Sequence, residues 1–481
     1  MLTEQEIRKF LDEDKASLLK QAAKQGQDYY EGKHDILEFR MFYYNADGKL
    51  VEDTHRSNAK IPHPFFTELV DQATQFIMSS EGGLINSQDT GLQSELDIYF
   101  NKNMKFKSEL AETITGMQGK GFDYMYAYKG KDDRLAFENA DCLGVVEVEG
   151  RFAEDDKDQR IYKYVDRIDK EGKTQWKILV IDDENTYYYV QTDNGEITDD
   201  EDVELNPKPH AVYEKDGKLY KKPLNFLPFF RLDHNKKRIS LLPAVKALID
   251  DYDIMSSSLT NNLIDFDTPL HVVKGFKGDN LDELQTNLKT KKIVGTAPDG
   301  GVEVHTVVVP YEARVAKLEL DEKNIYRFGM GLNMAGLKDT TATTNIAIKA
   351  AYSLLELRCN KIKGQLELFL QQIVEVVLAE INEKLGKDYQ LKDVEFNIKP
   401  EVMSNSTENA QKDLTEAQRK QTEINYLLAV AAYFDNETLT KKLCEILDID
   451  YEEIKNKLPD PAEAQGSIDD AIETIGGGVV E

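Results

Sequence analysis

Residues 241–360 restrict the possible folds more than any other stretch, because their order of periodicities does not suit a self-contained subunit. Positions 242–264 place Val245, Leu248, Ile249, Tyr252, Met255, Leu259 and Leu263 on one helical stripe. Pro243 falls in the first turn, where a missing N–H costs nothing. A compact insert, 268–310, carries a strand signal at 270–273, a short amphipathic helix at 281–288 and β-branched runs at 293–294 and 302–309. The chain returns as a second helix over 311–328, with Tyr311, Val315, Leu318 and Ile325 in register. Residues 329–344 are rich in Gly, Thr and Asn and follow neither period. A helix of roughly forty residues, 345–385, comes next and exceeds most globular helices. Two helices with one narrow apolar stripe each cannot bury themselves as a lone hairpin, so several copies side by side are expected.

A length of 481 residues and a hydrophobic content of 41% support several cores. The opening residues lack the basic region and apolar run of a secretory leader. The most apolar helix, 366–381, is interrupted by Glu367, Glu375 and Glu380, as expected of a core helix and not of a membrane span. Cys142, Cys359 and Cys444 are odd in number and far apart, which predicts structural thiols in a reducing compartment and no zinc site. The net charge of −28, from 60 basic and 88 acidic residues, argues against a reader of nucleic-acid sequence, which needs basic surface to displace counterions. Solubility is the simplest account of the acidity.

Ahead of the central stretch, residues 1–28 read as one charged amphipathic helix with Ile7, Phe10, Leu11, Leu18, Leu19 and Ala22 as its apolar positions. His34 is expected to be a turn histidine beside Tyr29 and Tyr30. Residues 39–49 read as irregular or a short strand, with a turn at Asp47-Gly48. Pro62 and Pro64 keep His63 extended. Positions 65–78 read as a helix on which Asp71 and Gln72 are solvated or capping residues. A pair of helical segments spans 92–116 and ends at Gly119 and Gly121. Strand signals at 122–128, 136–148, 160–168, 175–181 and 186–191, with hairpin turns at 129–133 and 169–172, predict an antiparallel β-rich subdomain. Strand alternation accounts for Tyr187, Tyr188 and Tyr189 better than base stacking among so many acids. The runs Asp182-Asp183-Glu184 and Asp199-Asp200-Glu201-Asp202 are expected to be solvated loops, since consecutive carboxylates cannot converge on one magnesium ion. Beyond the long helix, a strand at 394–398 and helices within 401–456 precede an acidic tail from Pro459 that is expected to be disordered.

The chain has no Gly-x-x-x-x-Gly-Lys-Ser/Thr loop, no Gly-x-Ser-x-Gly elbow and no His-Glu-x-x-His. Gly329, Gly331 and Gly336 follow a helix and not a strand, so they make no dinucleotide fingerprint. These observations predict a non-enzyme without cofactor or metal. The alternative is a cytosolic acidic metal-dependent hydrolase using Asp250, Asp251 and Asp253. Asp250 and Asp253 do share a helix side, but the simpler account makes all three the solvent or channel face of that helix.

Four groups of residues form an ordered set across 25–390. They are Tyr29-Tyr30-Glu31-Gly32-Lys33-His34-Asp35-Ile36; Asn58-Ala59-Lys60-Ile61-Pro62-His63-Pro64-Phe65-Phe66 with Leu69-Val70-Asp71-Gln72; Leu227-Pro228-Phe229-Phe230; and Ala347-Ile348-Lys349-Ala350-Ala351-Tyr352. The set resembles the portal proteins of long-tailed phages of Gram-positive bacteria. Thr343-Thr344-Asn345 stands where that family usually has Ser-Gly before its Ala-Leu-Lys element. The resemblance implies an α+β, mainly helical portal-type architecture. Its parts are a wing over 1–240, stem helices at 241–267 and 311–328, and a clip at 268–310 between them. A tunnel loop at 329–344, a long kinked helix and wing strand over 345–400, a crown over 401–458 and a tail over 459–481 follow. It also implies a ring of about twelve copies at one capsid vertex, used for genome packaging, retention and ejection.

The implied partners are the chain itself, the terminase large subunit, scaffolding and major capsid protein, a neck adaptor and duplex DNA held without sequence preference, with no membrane. The implied places are the virion and, during assembly, the host cytoplasm. In this picture Val245, Leu248, Tyr252, Leu259, Val315, Leu318 and Ile325 pack the stem. Lys274, Lys277, Lys289, Lys291 and Lys292 face docking partners from a charge-balanced clip. Asn333, Lys338, Thr340, Thr341, Thr343 and Thr344 contact DNA from a loop that its glycines allow to bend. An acidic bore then repels phosphates, with Lys338 as its collar of positive charge.

Overall fold

The computed structural model describes residues 2–447 and 451, apart from 55, 81–82, 131, 151–156, 169–171, 193–194, 216–217, 267–269, 279, 287–293, 306–310, 334–344 and 399–405. The chain opens with α1 (Glu4–Ala16), started by a reciprocal box in which the Thr3 hydroxyl accepts from the Glu6 N–H and the Glu6 carboxylate from the Thr3 N–H. The single helix expected over 1–28 is in fact two. Ser17 adopts an extended backbone and its hydroxyl accepts from the Lys20 N–H, which ends α1 and starts α2 (Leu18–Tyr30). A hairpin of β1 (Phe42–Tyr44) and β2 (Leu50–Glu52) follows, then α3 (Phe65–Met78), β3 (Ile85–Asn86) and α4 (Thr90–Leu96). Helix α5 (Met104–Lys120) stops at Gly121, whose φ of +98° suits glycine; a Cβ there would also strike the Arg238 carbonyl.

Strands β4 (Phe122–Lys129) and β5 (Leu135–Ala140) form one hairpin, and β6 (Val145–Val148) belongs to a different sheet. The continuous strand expected over 136–148 is therefore broken. The Gly144 N–H donates to the Asp141 carbonyl in a tight turn, and Gly144 leaves no room for a side chain against the Lys163 carbonyl. Next come β7 (Gln159–Ile168), β8 (Thr174–Ile181), β9 (Asn185–Gln191), β10 (Ile197–Asp199), β11 (Lys208–Pro209), the hairpin β12 (Ala211–Lys215) and β13 (Lys218–Lys222), and β14 (Phe229–Asp233). One antiparallel sheet runs β10-β9-β8-β7-β6 with β11 also on β9, and a second runs β14-β4-β5. Tyr189 packs in the core under α1, and Tyr188 on the opposite face packs with Phe122 and Phe229, so strand alternation does explain the tyrosines. Two of the acids expected to be solvated are buried instead: Asp182 caps the turn through the Glu184 and Asn185 N–H groups, and Asp200 pairs with Lys177.

The expected central order is present: α6 (Leu242–Phe266), β15 (Leu270–Phe276), α7 (Leu281–Thr286), β16 (Thr296–His305), α8 (Tyr311–Phe328) and α9 (Asn345–Leu385). Leu366, Phe369, Leu370, Ile373, Val374, Val377 and Ile381 of α9 are buried, so its apolar stretch is core. The strand expected at 394–398 is reduced to β17 (Glu395–Phe396), paired with β3. Residues 340–350 and 402–481 cluster as a separate unit, in which α10 (Ser406–Ala429) and α11 (Asn436–Leu447) are described, within the stretch 401–456 where helices were expected. The tail from Pro459 lies outside the described residues. The fold is mixed helix and sheet, as the expected α+β class requires: among the described residues seventeen strands, most of them short, accompany helices that make up about half of the chain. No described helix is long and apolar enough to cross a membrane.

One core joins the amino-terminal helices to the central pair: Tyr29, Phe66, Leu69 and Val70 pack with Leu242, Val245, Ile249, Ile325 and Tyr326. At its edge lies Asp253, fully buried. Its Oδ2 meets His34 Nδ1 at 2.6 Å, and its Oδ1 meets His63 Nδ1 at 2.8 Å and accepts from the His63 N–H at 2.9 Å. His34 stacks on Tyr29, with ring centroids 4.6 Å apart, and its other nitrogen faces the Tyr29 carbonyl. His34 is therefore a buried partner of the stem helix and more than a turn residue. Burial pushes the Asp253 carboxyl up, but the hydrogen bonds from His34 and His63 outweigh it and hold the group below the ordinary carboxylate range.

A carboxyl lowered in the folded state stabilises above its unfolded value of about 4, and that contribution is lost as pH falls through the lower folded value. Asp253→Asn should cost about 3–5 kcal/mol near neutrality, because it leaves buried polar groups mispaired. In denaturant titrations run at several pH values, the gap between wild type and variant should be widest above about pH 4 and close below it.

Candidate functional site

Helices α6 and α8 run antiparallel and are joined by side-chain bonds. Arg314 Nη1 donates to Ser258 Oγ at 3.3 Å, and Lys317 pairs across with Asp251 and, at 2.5 Å, with Asp321 one turn on in its own helix. Of the seven predicted stem-packing residues, Val245 and Ile325 are buried in the core with α2 and α3, and Leu248 and Tyr252 pack against it. Tyr252 sets its edge on His63 and Phe65. Leu259, Val315 and Leu318 are half-buried further along. The apolar stripe thus serves two purposes. Its first half is spent within the chain, while the far end leaves Leu263, Ile264 and Tyr311 more than half exposed.

The three aspartates do not converge. Asp250 accepts from the Tyr29 hydroxyl and pairs with Lys246 at 2.7 Å; Asp251 pairs with Lys317; Asp253 is held by the histidines. The expectation of a solvent or channel face is corrected at Asp253, and each aspartate already has a protein partner, which disfavours the hydrolase. Among the described residues one group of potential ligands, Asp123, Asp141 and Cys142, does come together. The Lys120 ammonium lies 3.0 Å from Asp123 and 2.7 Å from Asp141, supplying the positive charge itself. Burial raises the Asp123 carboxyl to about 6 and pushes the Cys142 thiol well above its usual value.

Between α6 and α8, β15 and β16 form a hairpin with an irregularity between Lys274 and Phe276, where Gly275 has a φ of +67°. Lys274 pairs with Glu303 at 2.6 Å, and the Lys277 N–H donates to the Gly295 carbonyl while its side chain is exposed. Lys289, Lys291 and Lys292 lie outside the described residues.

The segment after α8 is fixed where it leaves the helix. Gln72 brackets Leu332, accepting from its N–H at 2.8 Å and donating to its carbonyl at 2.9 Å. Arg358 of α9 donates to the Leu69 carbonyl at 2.9 Å, to the Gly329 carbonyl at 3.4 Å and to the Gln118 side chain. Its burial, with no carboxylate partner among the described residues, lowers the guanidinium to about 10. Gly329 and Gly331 are required for close packing on the Leu69 side chain, and the positive φ falls on Met330 at +52°. Both therefore pack the base of the segment, and Gly336, the third glycine expected to allow bending, lies outside the described residues. Asn333 donates to Glu322 at 3.3 Å; Lys338, Thr340, Thr341, Thr343 and Thr344 lie outside the described residues.

Sequence reasoning missed Asp71 and Gln72 as working residues. Asp71 accepts from the Tyr30 hydroxyl at 2.8 Å, and Gln72 holds the loop base, so neither is a solvated helix residue. The signal was available in their adjacency within Leu69-Val70-Asp71-Gln72, whose polar pair borders an apolar face.

Comparison with known proteins places the sequence in one family. The model of the family described as phage portal protein, SPP1 Gp6-like, covers residues 9–456. The portal protein of Bacillus phage SPP1 is 27% identical over 377 residues, 76% of this chain and 71% of that protein. The portal protein of Clostridium phage phiCD119 is 22% identical over 417 residues, 84% of this chain and 88% of that one. A chain in the solved neck of an empty GTA particle aligns over 79% of this chain and 90% of its own, at 13% identity and a TM-score of 0.37. The portal resemblance is borne out, on relatives from phages of Bacillus and Clostridium: this chain belongs to the SPP1 Gp6-like family of phage portal proteins.

Proposed function

We propose that a ring of about twelve copies of this chain forms the channel at one capsid vertex through which duplex DNA is packaged, retained and ejected. The observation that carries this reading is the family match across 9–456. The stem pair supports the ring, because apolar residues at its far end remain uncovered within one copy. The reading assigns no catalysis to the chain. A terminase supplies the ATP-driven step and docks, as the neck adaptor later does, on the β15–β16 clip with its paired charges at Lys274 and Glu303. Lys277, Lys289, Lys291 and Lys292 belong to the same docking face. Scaffolding and major capsid protein meet the wing during assembly in the host cytoplasm.

Leu320 is 54% exposed on α8, so Leu320→Asp should leave the subunit folded while placing a charge in the stem contact. Light scattering and negative-stain images should show rings for wild type and smaller species for the variant. Monomeric wild-type protein at high concentration overturns the ring.

In this ring the tunnel loop projects into the bore, with Lys338 and Thr340, Thr341, Thr343 and Thr344 beside the phosphates and Asn333 at its root. One lysine per copy touches DNA weakly and with salt screening, while several hundred net negative charges over a dozen chains repel it. Lys338→Glu should leave ring mass unchanged and reduce the DNA kept in filled heads, measured as genome copies per particle. Genome retention at the wild-type level removes Lys338 from the mechanism.

A further inference from the structure

The β1–β2 hairpin carries apolar side chains that nothing in the described chain covers. Phe42, Tyr44 and Leu50 are 54%, 74% and 59% exposed, and every residue of both strands is exposed. A two-stranded hairpin with neither face covered is marginal in water. Its tip is nonetheless well ordered: Asn45 Oδ1 accepts from the Asp47 and Lys49 N–H groups, and Gly48 takes a φ of +71°. The hairpin is thus a preformed arm in need of a surface.

Its position is set by the strap that follows it. The Ser57 N–H donates to Asp265, the Ala59 N–H to Asn261, the Ile61 N–H to Ser257 and the His63 N–H to Asp253. The strap therefore climbs one side of α6 and leaves the hairpin near the Asp265 end. Lys60 and Asn58 bond back to the Leu37 and Phe39 carbonyls, which hold the incoming strand at the same end. Leu263, 51% exposed, sits two residues beyond Asn261, about 200° round the helix and so on the opposite side from the strap. Antiparallel α8 brings its first residue, Tyr311, 57% exposed, to this end as well.

One chain thus carries two different apolar surfaces at one level of the stem, an arm on one side and an open flank on the other. Surfaces so arranged satisfy each other head to tail, the contact type that closes into a ring. We propose that the β1–β2 hairpin clasps a second copy of this chain, covering the Leu263 and Tyr311 end of the neighbouring stem. The clasp rests on the ring reading given above and adds to it which elements meet.

Cys142, Cys359 and Cys444 are buried, so introduced thiols can be addressed selectively. The test compares Tyr44→Cys, Leu263→Cys and the double variant of the full chain, each treated with a short bismaleimide after its mass is measured uncrosslinked. The double variant should give a ladder of covalent multimers rising to the full ring, and each single variant should stop at dimer or below. Rings by mass with no ladder overturn the clasp and leave the ring standing. Monomers by mass from all variants and from wild type overturn both. As a second reading, Phe42→Ser with Tyr44→Ser should raise the protein concentration needed for half-assembly at least tenfold; an unchanged assembly midpoint counts against the clasp.

Discussion

A buried carboxylate ties this molecule together. Asp253 lies on the stem helix, and the groups that neutralise its burial come from the amino-terminal part of the chain, 219 and 190 residues away for His34 and His63. Taking an unpaired carboxylate out of water is far too costly to be tolerated, so the stem helix can pack only where both histidines reach it. This requirement positions α2 through Tyr29 and His34, and the 57–63 strap through the His63 N–H. Neighbouring bonds extend the same joint: Tyr29 and Lys246 on Asp250, Tyr30 on Asp71, Tyr326 on Glu68. The amino-terminal elements and the α6–α8 pair are consequently one structural piece and not two domains on a linker.

Within that piece, charge is used internally. The acids that a reading of composition assigns to solvent include Asp182, Asp200, Asp253 and Asp321, all buried and all paired or capping a turn. The exposed remainder still leaves a strongly acidic chain. Interior carboxylates thus fix geometry, while the surface keeps most of the net negative charge.

How much of this was legible in the sequence depended on the range of the interaction. Helices α6, α8 and α9 emerge within about two residues of expectation, because 3.6-residue periodicity and capping are local. Ser17 dividing α1 from α2 was legible in principle, as a serine followed by a helical pattern, yet apolar spacing on both sides hid it. The change of sheet at Asp141–Gly144 could not be read, since it depends on the Lys163 carbonyl closing over Gly144. Nor could the division of the stem stripe, because nothing local says that α2 and α3 cover Val245 and not Leu263. The portal motifs were legible as a pattern long before their physics: Tyr29, Tyr30 and His34 are close in sequence because each reaches a different carboxylate across the same joint.

The anchoring of the segment after α8 has a mechanical consequence. Gln72 grips both backbone groups of Leu332, and the Arg358 guanidinium spans the carbonyls of Leu69 and Gly329. A load reaching Leu332 therefore passes into α3 through Gln72, and Arg358 couples the same base to α9. The end of α8 is thereby tied into the body of the protein through three helices, since Asn333 also bonds back to Glu322 of α8.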